Sequence, residues 1–173
     1  MDISTFYALF SATCFTLVGL WWNVVQGHRD WLRDPALRRI VGGIYISFLL
    51  PALMGLFAQV GGTETPEIWR FSFVVLAVIG CVSTMRLTGR SRRDGSSVFL
   101  TLAQAVAALF YTLIAVVGAA PELADVVGVQ PIQAEAVLLI LLVVLGHGLV
   151  WRFMAGEGRP ADVEVVAASA PPP

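Results

Sequence analysis

The sequence has no lysine, and charged residues of any kind make up only 13% of its 173 residues. Hydrophobic residues make up 57%, and the mean hydropathy is +0.79. This composition excludes an ordinary soluble domain. The eleven basic residues are all arginine, and alanine, valine and glycine are frequent. We interpret this bias as that of a GC-rich, bacterial genome.

Cysteine is also scarce. Cys14 and Cys81 both lie in apolar runs, and neither has a CxxC partner. The sequence therefore predicts small packing residues and no disulfide framework. The first apolar run has no basic segment before it and is too long for the core of a signal peptide, so we expect no cleavable signal.

Catalytic patterns are missing as well. Serine, threonine and histidine occur without nucleophile-elbow or zincin spacing. We count Glu135 with the charges outside the membrane, so that no span is expected to carry a carboxylate, which argues against a carboxylate proton relay or metal site in the membrane. We therefore predict no enzyme, no metal site and no cofactor.

What the sequence does have is five long apolar runs. Each is about as long as the ~20 residues that a helix needs to cross ~30 Å of hydrocarbon. They predict an all-α, polytopic membrane bundle with five transmembrane helices over residues 1–156 and a disordered cytoplasmic tail over 157–173. The runs cover residues 3–26, 39–61, 68–88, 97–119 and 133–155.

The arginines predict the orientation of the bundle. Ten of the eleven lie on the same side of the five runs, and only Arg70 lies on the other. Because positive residues stay in the cytoplasm, the N-terminus is predicted to be outside and the C-terminus inside. The inner side then has a net charge of +4 and the outer side −5.

An inner surface of that sign favours anionic lipid head groups over nucleic acid, because the arginines lie beside the membrane. We therefore predict a bacterial cytoplasmic membrane as the location and membrane lipids as partners. The residues expected to contact head groups are Arg29, Arg33, Arg38, Arg39, Arg90, Arg92 and Arg93.

The connectors and helix ends also follow from sequence. Asp34-Pro35 and Gln130-Pro131 predict helix starts, and Gly89 predicts the end of the third helix. We expect residues 27–38 to lie along the inner interface, with Trp31 and Leu32 dipping towards the lipid. Residues 121–127 are predicted to form a short helical turn outside.

Small and weakly polar residues recur at helical spacing within the runs, and such stripes are typical of faces where membrane helices pack together. Pro51 is expected to kink the second helix. The stripes are Ala8, Ala12, Thr16, Gly19 and Asn23; Gly43, Ser47, Pro51, Gly55 and Gln59; Ala77, Gly80, Cys81 and Thr84; and Ser97, Thr101, Gln104, Ala108 and Tyr111.

His147 is the one ionisable side chain that we place deep in a run, which makes it a candidate functional residue. Helical rise places it about 8 Å from the inner boundary and Gln104 about 10 Å. A hydrogen bond between the two is therefore expected. The candidate polar, ligand or proton site comprises His147, Gln104, Tyr111, Thr101 and Thr84.

Three functions remain open at this stage. The first is a non-enzymatic membrane protein that packs with itself, as a homo-oligomer, or with a larger membrane complex. The second is an oligomeric small channel or transporter with a polar path near Gln104, Tyr111 and His147. The third is a redox subunit that binds haem or quinone.

Overall fold

The computed structural model describes residues 2–61, 66–93, 98–125 and 128–155, except for the side chains of residues 61, 66, 90–93, 99 and 125. These residues form one short 3₁₀ helix, η1, and six α-helices. The elements are α1 (Ile3–Gly27), η1 (Arg29–Leu32), α2 (Pro35–Gly61), α3 (Pro66–Arg93), α4 (Val98–Ala119), α5 (Glu122–Asp125) and α6 (Pro131–Met154).

The all-helical prediction is confirmed for the described residues. Five of the helices, α1, α2, α3, α4 and α6, are long and apolar enough to cross a membrane. Their bounds follow the five apolar runs closely, with one clear difference. The prediction that the third helix ends at Gly89 is wrong, because α3 continues to Arg93. The predicted tail, residues 157–173, lies outside the described residues.

The predicted helix starts are confirmed where the chain is described. Asp34 Oδ1 accepts hydrogen bonds from the backbone N–H groups of Ala36, at 2.7 Å, and Leu37, at 3.3 Å. It therefore caps α2, whose first residue, Pro35, needs no N–H partner there. Pro131 occupies the same position in α6. The predicted turn after α4 is present as α5.

Four of the five long helices form a closed ring, and the fifth, α1, packs on the outside of that ring. α3 packs along α2 and α4, and α6 closes the group by packing against α4 and α2. α1 lies along α2 and touches α6. The first turns of α1, α3 and α6 meet the last turns of α2 and α4 at one end. We call this the outer end, after its predicted orientation, and the opposite end the inner end.

Two apolar clusters hold the bundle together, one towards each end. The outer cluster joins all five long helices and includes Tyr7, Phe73 and Tyr111. The inner cluster joins α1, η1, α2 and α6 and contains Trp21, Trp31 and Phe153. Both halves of the bundle therefore have a packed interior.

The connector between α1 and α2 differs from expectation in the direction of its tryptophan. Trp31 is only 3% exposed and packs inside the inner cluster, so it does not dip towards lipid. Its ring stacks on His28 with centroids 4.3 Å apart and meets the edge of Phe153 at 4.9 Å. The indole gains more contact in this aromatic pocket than at an interface.

Candidate functional site

Tyr111 and Thr84, two residues of the predicted polar site, lie on either side of Gly80. A Cβ atom placed on Gly80 would be 2.6 Å from the Tyr111 ring, so only glycine allows this ring to lie flat against α3. Thr84 donates its hydroxyl hydrogen bond to the Gly80 carbonyl of the same helix at 2.8 Å. This part of the predicted site is a packing contact between α3 and α4.

Gln104 and His147 are not joined as expected. The Gln104 side-chain oxygen is buried and has no hydrogen-bond partner among the described residues, so His147 does not donate to it. The Nδ1 atom of His147 lies 2.9 Å from the Val143 carbonyl one turn earlier in α6. His147 is exposed on the side of the bundle, with its ring against the edge of Phe48. Thr101 is half-buried on α4.

The arginines predicted to contact lipid head groups are found at the inner end where they are described. Four of them have described side chains, and all four are exposed. Arg29 lies in η1, Arg33 follows it directly, and Arg38 and Arg39 lie in the first turns of α2. The backbone of α3 includes residues 90, 92 and 93, but the side chains of Arg90, Arg92 and Arg93 lie outside the described part of the chain.

Three of the four predicted stripes face a neighbouring helix within the chain, at least in part. On α2, Gly55 lies against Phe10 and Ser11 of α1, and Ser47 lies against Gly146 of α6. The third and fourth stripes meet where Gly80 faces Tyr111. These contacts fit the packing role that their spacing predicts.

The α1 stripe behaves differently. Ala12, Thr16, Gly19 and Asn23 are exposed, and a Cβ atom on Gly19 would meet nothing within 4 Å. The face of α1 that the chain buries is instead formed by Tyr7, Ser11, Cys14, Trp21 and Val25. With 3.6 residues per turn, the centres of the two faces are about 140° apart around the helix. The α1 stripe therefore points away from the bundle.

A polar site that the sequence did not predict lies at the outer end, around Glu135. This residue is the fifth of α6 and is 0% exposed, so it lies inside a long apolar helix and not, as predicted, outside the spans. Neither carboxylate oxygen has a hydrogen-bond partner among the described residues. Its Oε1 atom lies 3.6 Å from the position of a Cβ atom on Gly118, and the missing side chain of that glycine leaves space for the carboxylate.

The polar neighbours of Glu135 have hydrogen bonds elsewhere. The Tyr7 hydroxyl donates to the Ile132 carbonyl at 2.8 Å, one turn before Glu135 on α6. Arg70 Nε donates to the Gly118 carbonyl at 3.1 Å, and its Nη2 to the Ala119 carbonyl at 3.4 Å. Arg70 thus caps the C-terminus of α4, where a cation is favourable.

One sequence signal locates Glu135 correctly. Pro131 opens the helix, which puts Glu135 inside its second turn. The spacing to Leu139 and Leu142, which are both buried, then places the carboxylate on the buried face of α6. The prediction instead counted Glu135 among the charges outside the membrane, because an acidic residue near the end of an apolar run is usually assigned to the connector.

Comparisons of the chain with protein-family models, with curated proteins and with solved structures found no match.

Proposed function

We propose that this chain is a non-enzymatic integral membrane protein of the bacterial cytoplasmic membrane that assembles with itself through the α1 stripe. One observation carries the proposal. The stripe of small and polar residues on α1 is exposed, whereas each of the other three stripes packs, at least in part, against a neighbouring helix of the chain.

The composition of this face separates it from other exposed surfaces of the bundle. The exposed positions of α6 include Val137, Ile140 and Val144, which suit contact with lipid tails. The α1 stripe offers lipid little apolar area and presents the Asn23 amide four residues before the end of the helix. Small residues allow two helices to approach closely, and an amide in a span gains from a hydrogen bond to a second helix.

A second copy of the chain is the occupant that fits best. Two copies in one membrane have the same orientation, so a two-fold axis along the membrane normal places their α1 helices parallel. Each residue of the stripe then meets its equivalent. Gly19 lies at the point of closest approach, and the Asn23 amides of the two copies, which each carry a donor and an acceptor, can pair.

The charge distribution supports the proposed location. The exposed arginines Arg29, Arg33, Arg38 and Arg39 form a basic surface at the inner end, which suits anionic head groups of the cytoplasmic leaflet. With α1 beginning at the opposite end, the N-terminus lies outside in this arrangement.

The channel or transporter alternative receives less support from the geometry. It requires Gln104, Tyr111 and His147 to share a path. His147 is exposed on the side of α6, whereas Tyr111 is 3% exposed and packs on Gly80. Within one chain these side chains do not face a common space.

The test is the oligomeric state of the full chain in detergent and in lipid nanodiscs, measured by light scattering and native mass spectrometry. We expect a dimer for the wild type. Gly19→Leu should weaken the dimer about tenfold or more, equivalent to roughly 1.4 kcal/mol, because its side chain separates the helices. Asn23→Val should weaken it about threefold, the effect of losing ~0.6 kcal/mol of hydrogen bonding.

Gly148→Leu is the matched control. Gly148 is also an exposed helical glycine with nothing within 4 Å of an added Cβ, but it lies on α6. It should leave the dimer unchanged. A strictly monomeric wild type, or equal dimer stability for Gly19→Leu and Gly148→Leu, would overturn the proposal. A stoichiometric complex with a different membrane protein, lost in Gly19→Leu, would assign the face to that partner instead.

A further inference from the structure

The burial of Glu135 has a free-energy cost that self-association through the α1 stripe does not explain. It is fully buried among α3, α4 and α6, and neither of its oxygens accepts a hydrogen bond from a described residue. An ionised carboxylate in such a place has lost its hydration without replacement, which is far more costly than burying a neutral acid. A charged or ionisable group within a membrane span is a candidate functional site for the same reason.

The charged and titratable groups around Glu135 do not offset this cost. From α1, the Tyr7 hydroxyl donates to Ile132. From α3, the Arg70 guanidinium donates to the last carbonyls of α4. α4 contributes Gly118 at this level, and Glu122 on α5 is exposed. Among the described residues, Arg70 is the cation whose contacts lie at the level of Gly118 and Glu135, and its hydrogen bonds are directed to the end of α4.

A metal cation fits this site poorly. Hard cations such as Ca²⁺ take six to eight oxygen ligands. Here the nearby carbonyls of Ile132 and Gly118 already accept hydrogen bonds from Tyr7 and Arg70. Among the described residues no group of three or more His, Cys, Asp or Glu side chains is placed to hold a metal ion. A proton needs no such set of ligands.

We propose that Glu135 is a proton-binding site whose occupancy controls the position of Arg70. In the form described here Glu135 is the neutral acid, and Arg70 caps α4. When the proton leaves to solvent at the outer end, the carboxylate that remains attracts the guanidinium, which moves from the Gly118 and Ala119 carbonyls to Glu135.

The geometry makes this transfer local. Arg70 Nε donates to the Gly118 carbonyl, and Glu135 Oε1 lies 3.6 Å from the position of a Cβ atom on Gly118, so both side chains approach the same residue of α4. The proposed transfer takes place by a change of side-chain rotamers, without a helix movement. The consequence is that the C-terminus of α4 loses its cap when Glu135 is ionised, which links the proton to the packing of α4 against α3 and α6.

The test is infrared difference spectroscopy of the full chain in lipid nanodiscs, read at the C=O stretching band of a protonated carboxylic acid. We expect this band at neutral pH in the wild type, with its loss on raising the pH. Glu135→Gln should abolish it. Glu67→Gln should retain it, because Glu67 lies at the same end of the bundle but is exposed.

Arg70→Gln tests the coupling. In this variant the C=O band of the protonated acid should persist to higher pH than in the wild type. Without Arg70, no guanidinium is there to stabilise the ionised carboxylate of Glu135. If Glu135→Gln does not yield folded protein, Glu135→Asp should shift the frequency of the C=O band, which would also assign the band to residue 135. Absence of an acid band at neutral pH, or a band unaffected by both substitutions of Glu135, would overturn the proton site. Identical pH responses of Arg70→Gln and the wild type would overturn the coupling.

Discussion

Glycines at helix contacts show how strongly single residues determine the packing of this bundle. Gly80 lets the Tyr111 ring lie directly on the α3 backbone, and Gly118 leaves space for the Glu135 carboxylate. Gly89 and Gly148, in contrast, have nothing within 4 Å of an added Cβ. Some glycines of this chain therefore allow close contact with another side chain, whereas others are exposed and make no such contact. The number of glycines in the sequence does not show which role each has.

Gly80→Ala is expected to destabilise the bundle by about 1–3 kcal/mol, because the new methyl group would overlap the Tyr111 ring, which is only 3% exposed. The measurement is thermal or denaturant unfolding of the purified chain in one detergent, followed by circular dichroism. Gly89→Ala is the control on the same helix. It should be neutral or slightly stabilising, since alanine is the better helix former. Equal stability of the two variants would contradict the role given to Gly80.

The sequence predicted the polar residues better than it predicted their contacts. Tyr111 and Thr84, two members of the predicted site, both contact Gly80, whereas steps of three and four residues define only the face of a single helix. His147 and Gln104 were expected to bond, since their depths agree. Depth along a helix does not determine rotation between helices, and His147 is on the exposed side of α6.

At the scale of elements, the connector η1 is part of the core. Trp31 stacks on His28, meets Phe153 edge-on and lies 6.4 Å from the centroid of Trp21. Trp21 in turn donates its indole N–H to the Val41 carbonyl at 3.1 Å. These contacts tie the end of α1 to the start of α2 and to the end of α6. A polar connector with one well-placed aromatic residue thus holds three long helices together.

Trp31→Ala is expected to cost on the order of 3 kcal/mol, because it leaves a cavity in the inner cluster. The readout is the same unfolding measurement. Trp151→Ala is a suitable control, since Trp151 lies near the same end of the bundle but is 76% exposed. It should change stability far less. A small effect of Trp31→Ala would mean that η1 only rests on the surface of the bundle.

For the whole molecule, the asymmetric arginine distribution predicts one orientation. The prediction is tested by cysteine labelling of intact cells with a membrane-impermeant maleimide. Glu122→Cys, in α5 at the outer end, should be labelled, and Asp30→Cys, in η1 at the inner end, should be labelled only after lysis. Both positions are exposed, so accessibility within the chain is matched. The unsubstituted chain, whose Cys14 is buried and Cys81 half-buried, gives the background. The opposite pattern would reverse the topology.

The amino-acid sequence by itself determined the helical class, the bounds of most helices, the cap at Asp34 and the helix start at Pro131. These features depend on local backbone chemistry and on the length of apolar runs, which a single chain segment contains. Only the tertiary structure decided which stripe stays uncovered, where His147 faces and that Glu135 is buried. Each of these depends on the rotation of one helix against another, and that rotation is set by the combined packing of all five long helices.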